Sequence, residues 1–266
     1  MAHGIASNYM KIYSWNMLYR NRELHEAFRF IAKSDFDIFC LQEVPEEILT
    51  RLQALPYAVA FRVDMEKTFP SRIVPMYNVI LSKHPIEAQH EVTFDDYWPL
   101  LPLRTRLFVH LMPRQLFSKI RNRGGLYADI TVRGTSIRVF CLHLILAQPA
   151  WRMKEFERAM VERDPARPSI VCGDFNILEK PYITPLNWML GGRLTDALFY
   201  GRERTSIERH FVEHKLTNAL RGHITHPLSR SQLDHILVSH SFSIKNVAVL
   251  PERIGSDHHP IRVEVE

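Results

Sequence analysis

Residues 169–176 read SIVCGDFN. Ser169 to Cys172 form a short apolar run, the pattern of a buried strand, and the run stops at Gly173 and Asp174. Asp174 and Asn176 therefore stand at the end of a buried strand, not in a solvated stretch. One such residue reads equally well as a turn or a helix cap. The same placement recurs along the chain, however. Asn16 follows KIYSW, Glu43 follows IFCLQ, and His143 follows VFCL. Asp234 opens the apolar run DHILVS, and Asp257 and His258 precede the last apolar run in GSDHHP. Turns alone explain this set poorly. Strand ends that converge on one rim of a rigid scaffold are a common way to assemble a site.

The flanking sequence gives the scaffold. Spacing predicts strands over residues 9–15, 37–41, 78–81, 126–132, 137–142, 169–172, 233–238, 244–250 and 261–265. It predicts helices over residues 23–32, 46–55 and 148–162. Strands follow one another two or three at a time without a helix, which argues against a doubly wound parallel sheet. The expectation is a four-layer α/β sandwich: two packed, mainly antiparallel sheets flanked by helices. The chain has 266 residues, no internal repeat and no linker-like stretch, so one domain spanning 1–266 is expected.

Composition removes other classes. At 46% hydrophobic and 24% charged residues the chain is neither disordered nor fibrous. No run approaches the ~20 apolar residues of a membrane span. Residues 1–11 lack the apolar core of a secretory signal, which points to a cytoplasmic protein. Cys40, Cys141 and Cys172 are far apart in apolar runs, the pattern of reduced, buried thiols and not of a disulfide or zinc framework. A net charge of +5 favours an anionic partner.

The polar set has a definite chemical character. Glu43, Asp174, Asp257 and Asn16 offer hard oxygen ligands, suited to Mg²⁺ or Mn²⁺. Asp234 can hold the His258 imidazole in one tautomer. Asn176 and His143 can donate to charge developing on a phosphorus centre. Metal, base and anion donors together describe phosphoester hydrolysis.

In this order, SWN, LQE, YNVILSKHPI, CLHL, GDFN, LDHILVS and SDHHP resemble the endonuclease/exonuclease/phosphatase superfamily. Its fold is the deoxyribonuclease I-like sandwich, and the motifs cover nearly the whole chain, from Asn16 to Pro260. The resemblance implies that Glu43 is the principal metal ligand, with Asn16 and Asp257 completing the shell. It implies that Asp174 orients or deprotonates the attacking water and that Asn176 holds a phosphate oxygen. His258, backed by Asp234, would contact the scissile phosphate, and His143 would stabilise the transition state from the other side. Water activation is divided between Asp174 and His258. The abasic-site endonuclease branch carries Tyr at the His143 position and an Asp where this chain has Leu18, which argues against that branch. Asn78 matches a family position, and a buried Asn closing a turn explains it equally well.

Residues 98–123 depart from the family core. They hold Arg104, Arg106, Arg114, Lys119, Arg121 and Arg123, no acid, and many interleaved leucines and aromatics. A nucleic-acid contact, an interfacial membrane element and a core-packed strand and helix with snorkelling arginines all fit this pattern. Arg104, Arg121 and Arg123 are taken as substrate-binding. Residues 202–231, with His210, His214, His223 and His226, are expected to form a long solvated insertion, and His235 to point away from the site. The function expected is a Mg²⁺- or Mn²⁺-dependent phosphodiesterase, first of all an endo- or exonuclease. The alternatives are a lipid or inositol-headgroup phosphodiesterase or phosphatase, sphingomyelinase-like, and a non-catalytic binding module. Nucleic acid is the first partner, an anionic or phospholipid substrate the second, and no obligate protein partner is evident.

Overall fold

Ile12, Ile38 and Cys40 alternate along their strands with Tyr13, Phe39 and Leu41. The first set is buried in one apolar cluster and the second in another. Such period-two division with both faces apolar builds a sheet covered on both sides. In a computed structural model, which describes residues 9–111, 119–199 and 201–266, thirteen strands form two sheets, and the central strands of each realise this pattern.

In chain order the first strands are β1 (Met10–Asn16), β2 (Ile38–Val44), β3 (Ala58–Thr68), β4 (Ile73–Ser82), β5 (Ile86–Thr93) and β6 (Lys119–Arg121). Then come β7 (Gly124–Val132), β8 (Thr135–His143), β9 (Ser169–Asp174), β10 (Leu216–Asn218), β11 (Asp234–Ser239), β12 (Ile244–Val249) and β13 (Ile261–Val265). The helices are α1 (Leu24–Lys33), α2 (Glu46–Gln53), α3 (Leu103–Leu111), α4 (Pro149–Met160), α5 (Thr184–Met189), α6 (Leu194–Leu198) and α7 (Arg202–Glu213). One sheet runs β12-β13-β1-β2-β4-β3-β6 and the other β10-β11-β9-β8-β7-β5. Only β1–β2 and β8–β9 pair in parallel among these; the rest are antiparallel.

Three apolar layers hold the stack. Ile12, Ile38 and Ile80 meet Ile130, Val139 and Ile170 between the sheets. Ala27 and Ile31 of α1 and Ile48 and Leu52 of α2 cover the outer face of the first sheet. Phe156 of α4 and Phe211 of α7 cover the second. The fold is thus the expected four-layer α/β sandwich. At about 1.5–3 kcal/mol for each fully buried large apolar side chain, these layers supply most of the drive to fold. Among the described residues no helix is long and apolar enough to cross a membrane.

Residues 202–231 are not a solvated insertion. Ile207 and Phe211 bury one face of α7, β10 joins the second sheet, and Thr225, Ser231 and Gln232 are buried. The charged outer face of α7 conceals this packing when the segment is read by composition.

Candidate active site

Period two also decides which polar side chains meet. Cys141, Cys172 and Ile236 face the layer between the sheets. Two positions along each strand, His143, Asp174 and Asp234 face the same way. The register then sets them in a row: His143 is opposite Asp174 across β8 and β9, and Asp234 opposite Asp174 across β11 and β9. On the facing sheet the same count from Ile12 and Ile80 turns Asn16 and Asn78 inward.

Two backbone features finish the rim. A bulge between Leu41 and Val44, with Glu43 in the left-handed region (φ 52°), breaks the alternation that would otherwise turn Glu43 outward. That conformation costs a non-glycine residue about 1–2 kcal/mol. Gly173 has φ +150°, and a Cβ there would stand 1.8 Å from the Leu142 carbonyl oxygen, so the glycine of GDFN is required for β8 and β9 to approach.

Asp174 is central. Its Oδ2 lies 3.8 Å from His143 Nε2 and 3.7 Å from His258 Nε2, and it accepts a hydrogen bond of 2.9 Å from Asn16 Nδ2. Each histidine is backed by a second buried carboxylate. Asp234 contacts His258 Nδ1 at 2.9 and 3.1 Å, and Asp64 contacts His143 Nδ1 at 2.6 Å. Asn176 donates its backbone N–H to Asp174 Oδ1 and its amide to the Leu144 carbonyl, both at 2.9 Å. The sequence-predicted residues His143, Asp174, Asn176, Asp234, His258, Asn16, Glu43 and Asp257 are thus assembled at one rim.

The electrostatics follow from this packing. Burial alone would lower the His258 pKa, but the Asp234 and Asp174 charges outweigh it and carry it up to about 10. Burial likewise opposes, and the Asp64 and Asp174 charges overcome, to lift His143 to about 9. Both rings are therefore held as cations. Burial raises the Asp174 carboxyl above its ordinary value despite the charge of His258.

Glu43 accepts from the Tyr19 N–H at 3.2 Å and from Asn16 Nδ2 at 3.4 Å. With Asp257 and Asn16 it lines a cavity of about 450 Å³ that also reaches His143, Asp174 and His258. This donor set is mainly oxygen, which fits a Mg²⁺ or Mn²⁺ ion. Among the described residues, the acid and histidine groups whose potential ligand atoms lie within 4.8 Å of one another are Asp174–Asp234–His258 and His226–Asp257–His258, and Glu43 belongs to neither.

Three residues at the site were not singled out by the sequence. Asp64 sits in mid-strand among charged neighbours. His226, expected in a solvated loop, lines the cavity with its ring 4.8 Å from that of His258. Burial first, and then the His258 charge, push its pKa down to about 4, so it is neutral. Glu155, in the middle of α4, accepts from the Ile145 N–H at 2.7 Å.

Arg123 and Arg104 are engaged within the protein and are not open substrate contacts, contrary to the expectation from sequence. Arg123 is buried: Glu155 takes both Nε (3.1 Å) and Nη2 (3.0 Å), and Nη2 also donates to the His143 carbonyl at 2.7 Å. Its charge is neutralised inside the protein. Arg104 donates to the carbonyls of Trp188 and Gly192, and its guanidinium lies 4.6 Å from the Trp188 ring centroid. Arg121 is exposed on β6. Arg114 lies outside the described residues. His235 is stacked on Phe175, with Nε2 against Arg204, in the outer layer away from the site.

The family model for the endonuclease/exonuclease/phosphatase family matches residues 13–258. The chain belongs to this family. Its members are hydrolases acting on phosphoester bonds and are generally dependent on a divalent metal. A family member from Beutenbergia cavernae is 17% identical, with TM-score 0.69 over 97% of this chain and 71% of that one. A mannosyl-6-phosphatase from Bacteroides thetaiotaomicron is 17% identical, with TM-score 0.63 over 97% and 99%. TDP2 from D. rerio, complexed with a single-strand DNA product, is 15% identical, with TM-score 0.59 over 97% and 99%. These likenesses show the shared fold. No curated protein matches the sequence.

Proposed function

We propose that this protein is a divalent-metal-dependent phosphoester hydrolase whose reacting phosphorus sits over Asp174. The observation that carries the reading is the arrangement of Asp174 between two carboxylate-backed histidines, 3.8 and 3.7 Å away.

Glu43, Asp257 and Asn16 would hold the cation, which supplies neutralisation of charge on the phosphate and the departing oxygen. Asp174 orients the attacking water and takes its proton as the new P–O bond forms. His143 and His258, held as cations, donate to the phosphate oxygens, which favours Asp174 over His258 as the water-activating group. The ester P–O bond breaks, and the departing oxygen regains a proton from His258 or from solvent. Asn176 holds the loop that carries Asp174.

A polynucleotide substrate has support from the DNA bound by TDP2, and from the exposed Arg121 and Lys119. Arg104 and Arg123 no longer support it, because their donors are engaged within the protein. Hydrolysis of p-nitrophenyl phosphate and bis-p-nitrophenyl phosphate with Mg²⁺, Mn²⁺ or EDTA tests the reading. Metal-dependent turnover lost in Glu43→Gln is expected; turnover unaffected by EDTA and by this change would overturn it.

A further inference from the structure

A second cavity, of about 220 Å³, borders the loop that follows Asp174 and carries Asn176. Leu178 of that loop walls both this cavity and the reacting one. Asn187 of α5 holds the loop in place, its Nδ2 donating to the Leu178 carbonyl at 3.1 Å. No residue of the reacting cluster lines the second cavity.

Its charges fall into two kinds. Glu203 is spent: its two carboxylate oxygens take Nε and Nη2 of the fully buried Arg152 at 2.5 and 2.8 Å. Asp196 of α6 and Arg202 of α7 are not. Both line the cavity. Asp196 Oδ2 accepts the Arg193 N–H at 2.7 Å, and the Arg202 guanidinium stands 3.6 Å from the Phe199 ring centroid. Among the described residues neither forms an ion pair, with the other or with a third group. Two opposite charges that line one small cavity without meeting leave room between them for a ligand carrying both signs. A lone cation would satisfy Asp196 and leave Arg202, and an anion the reverse.

Solvated surface charges often stand unpaired, but this cavity also holds a buried group that lacks a partner. Asn187 is 6% exposed and lines the cavity, and its Oδ1 has no hydrogen-bond partner among the described residues. Native proteins rarely leave a buried acceptor so. Together with Asp196 it calls for a group with several donors, which an ammonium supplies. The remaining wall is apolar, from Pro149 and Met153 of α4, Leu178 and Phe199.

We infer that this cavity is a second ligand site, for a small zwitterion with an apolar side chain, the chemistry of an α-amino acid such as leucine or methionine. The ammonium is taken by Asp196 and the Asn187 amide oxygen, the carboxylate by Arg202, and the side chain by Met153 and Leu178. With about half the volume of the reacting cavity, the site suits a ligand of this size.

Calorimetry on the full chain with L-leucine and L-methionine tests the site without requiring turnover. A dissociation constant below about 1 mM is expected. Isoamylamine lacks the carboxylate, isocaproate lacks the ammonium, and glycine lacks the side chain. Each should bind at least tenfold more weakly than leucine, because each leaves one part of the wall without its partner. Arg202→Gln and Asp196→Asn should each weaken leucine binding at least tenfold at an unchanged melting temperature. Asn keeps an oxygen for the Arg193 N–H while removing the charge. Should Asp196→Asn loosen α6, Arg202→Gln, at an exposed position, decides alone. Absence of binding by both amino acids would overturn the inference. So would isoamylamine or isocaproate binding as tightly as leucine. Leucine binding that Arg202→Gln leaves intact would place the ligand elsewhere and overturn it as well.

Discussion

The Asp64 carboxylate lies 2.6 Å from Nδ1 of His143, a residue 79 positions away in the sequence. Asn78 reaches Asp64 from β4 at 3.4 Å and also donates to the Gly124 carbonyl at 3.2 Å. Asn78, Asp64 and His143 thus form a buried chain that orients the imidazolium ring with Nε2 towards Asp174. Asp64→Asn removes the charge that keeps the His143 ring protonated and oriented. We expect kcat to fall by about 10²- to 10⁴-fold with KM nearly constant. The His143 pKa should fall as well, and histidine NMR titration would show it. A rate loss without that pKa change would assign Asp64 a structural role only.

Much of this architecture was legible in the sequence, and the exceptions share a cause. The strands ending at Asn16, His143 and Asp174 read clearly because apolar runs stop at polar residues there. β3 did not read as a strand. It carries Arg62, Asp64 and Lys67, all buried, and these charges break the apolar alternation. They are tolerated because each has a partner elsewhere in the fold: Glu91 for Arg62, His143 for Asp64 and the Tyr19 ring for Lys67. His226 sits in irregular chain, which has no period to reveal where its side chain points. Arg123 looked like a surface cation because its partner, Glu155, comes from α4, which spacing alone does not connect to it.

Arg123 therefore makes a stability prediction. Removing its side chain leaves the Glu155 carboxylate buried and without its cation. Breaking a buried pair in this way costs about 3–5 kcal/mol. Urea denaturation of Arg123→Ala should show a loss of that order. Arg121→Ala, at an exposed position, should change stability by less than about 0.5 kcal/mol.

Asp234 and His258 should act as a unit. Their contacts of 2.9 and 3.1 Å place both carboxylate oxygens on one ring nitrogen. Once His258 is gone, Asp234 has little left to orient. The double variant Asp234→Asn/His258→Ala should be scarcely slower than His258→Ala, because catalytic groups that act together are non-additive. Multiplicative losses would separate the two residues.

Linkage gives two opposite pH dependences for the protein in EDTA. His143 and His258 are raised from 6.5 to about 9 and about 10. Below pH 6.5 both are charged in the folded and the unfolded chain, and their stabilisation is complete. Above it the unfolded chain releases protons that the folded chain retains, so stability falls as pH rises towards 9–10. Asp129 has the reverse sign. Hydrogen bonds from Arg138, opposed by burial and aided by Arg167, lower its pKa to about 2 from 3.8. Its contribution is present above pH 3.8 and is lost as pH falls towards 2. Urea midpoints should show His258→Gln converging on wild type at high pH and Asp129→Asn converging at low pH.

The most direct measurement is the hydrolysis of bis-p-nitrophenyl phosphate by Asp174→Asn in saturating Mn²⁺. Asn keeps the shape of the side chain between His143 and His258 but cannot take a proton from water. At an unchanged melting temperature, kcat should drop by about 10²-fold or more, in line with the loss of a positioned general base. Turnover within a few-fold of wild type would contradict the placement of the reacting phosphorus over Asp174.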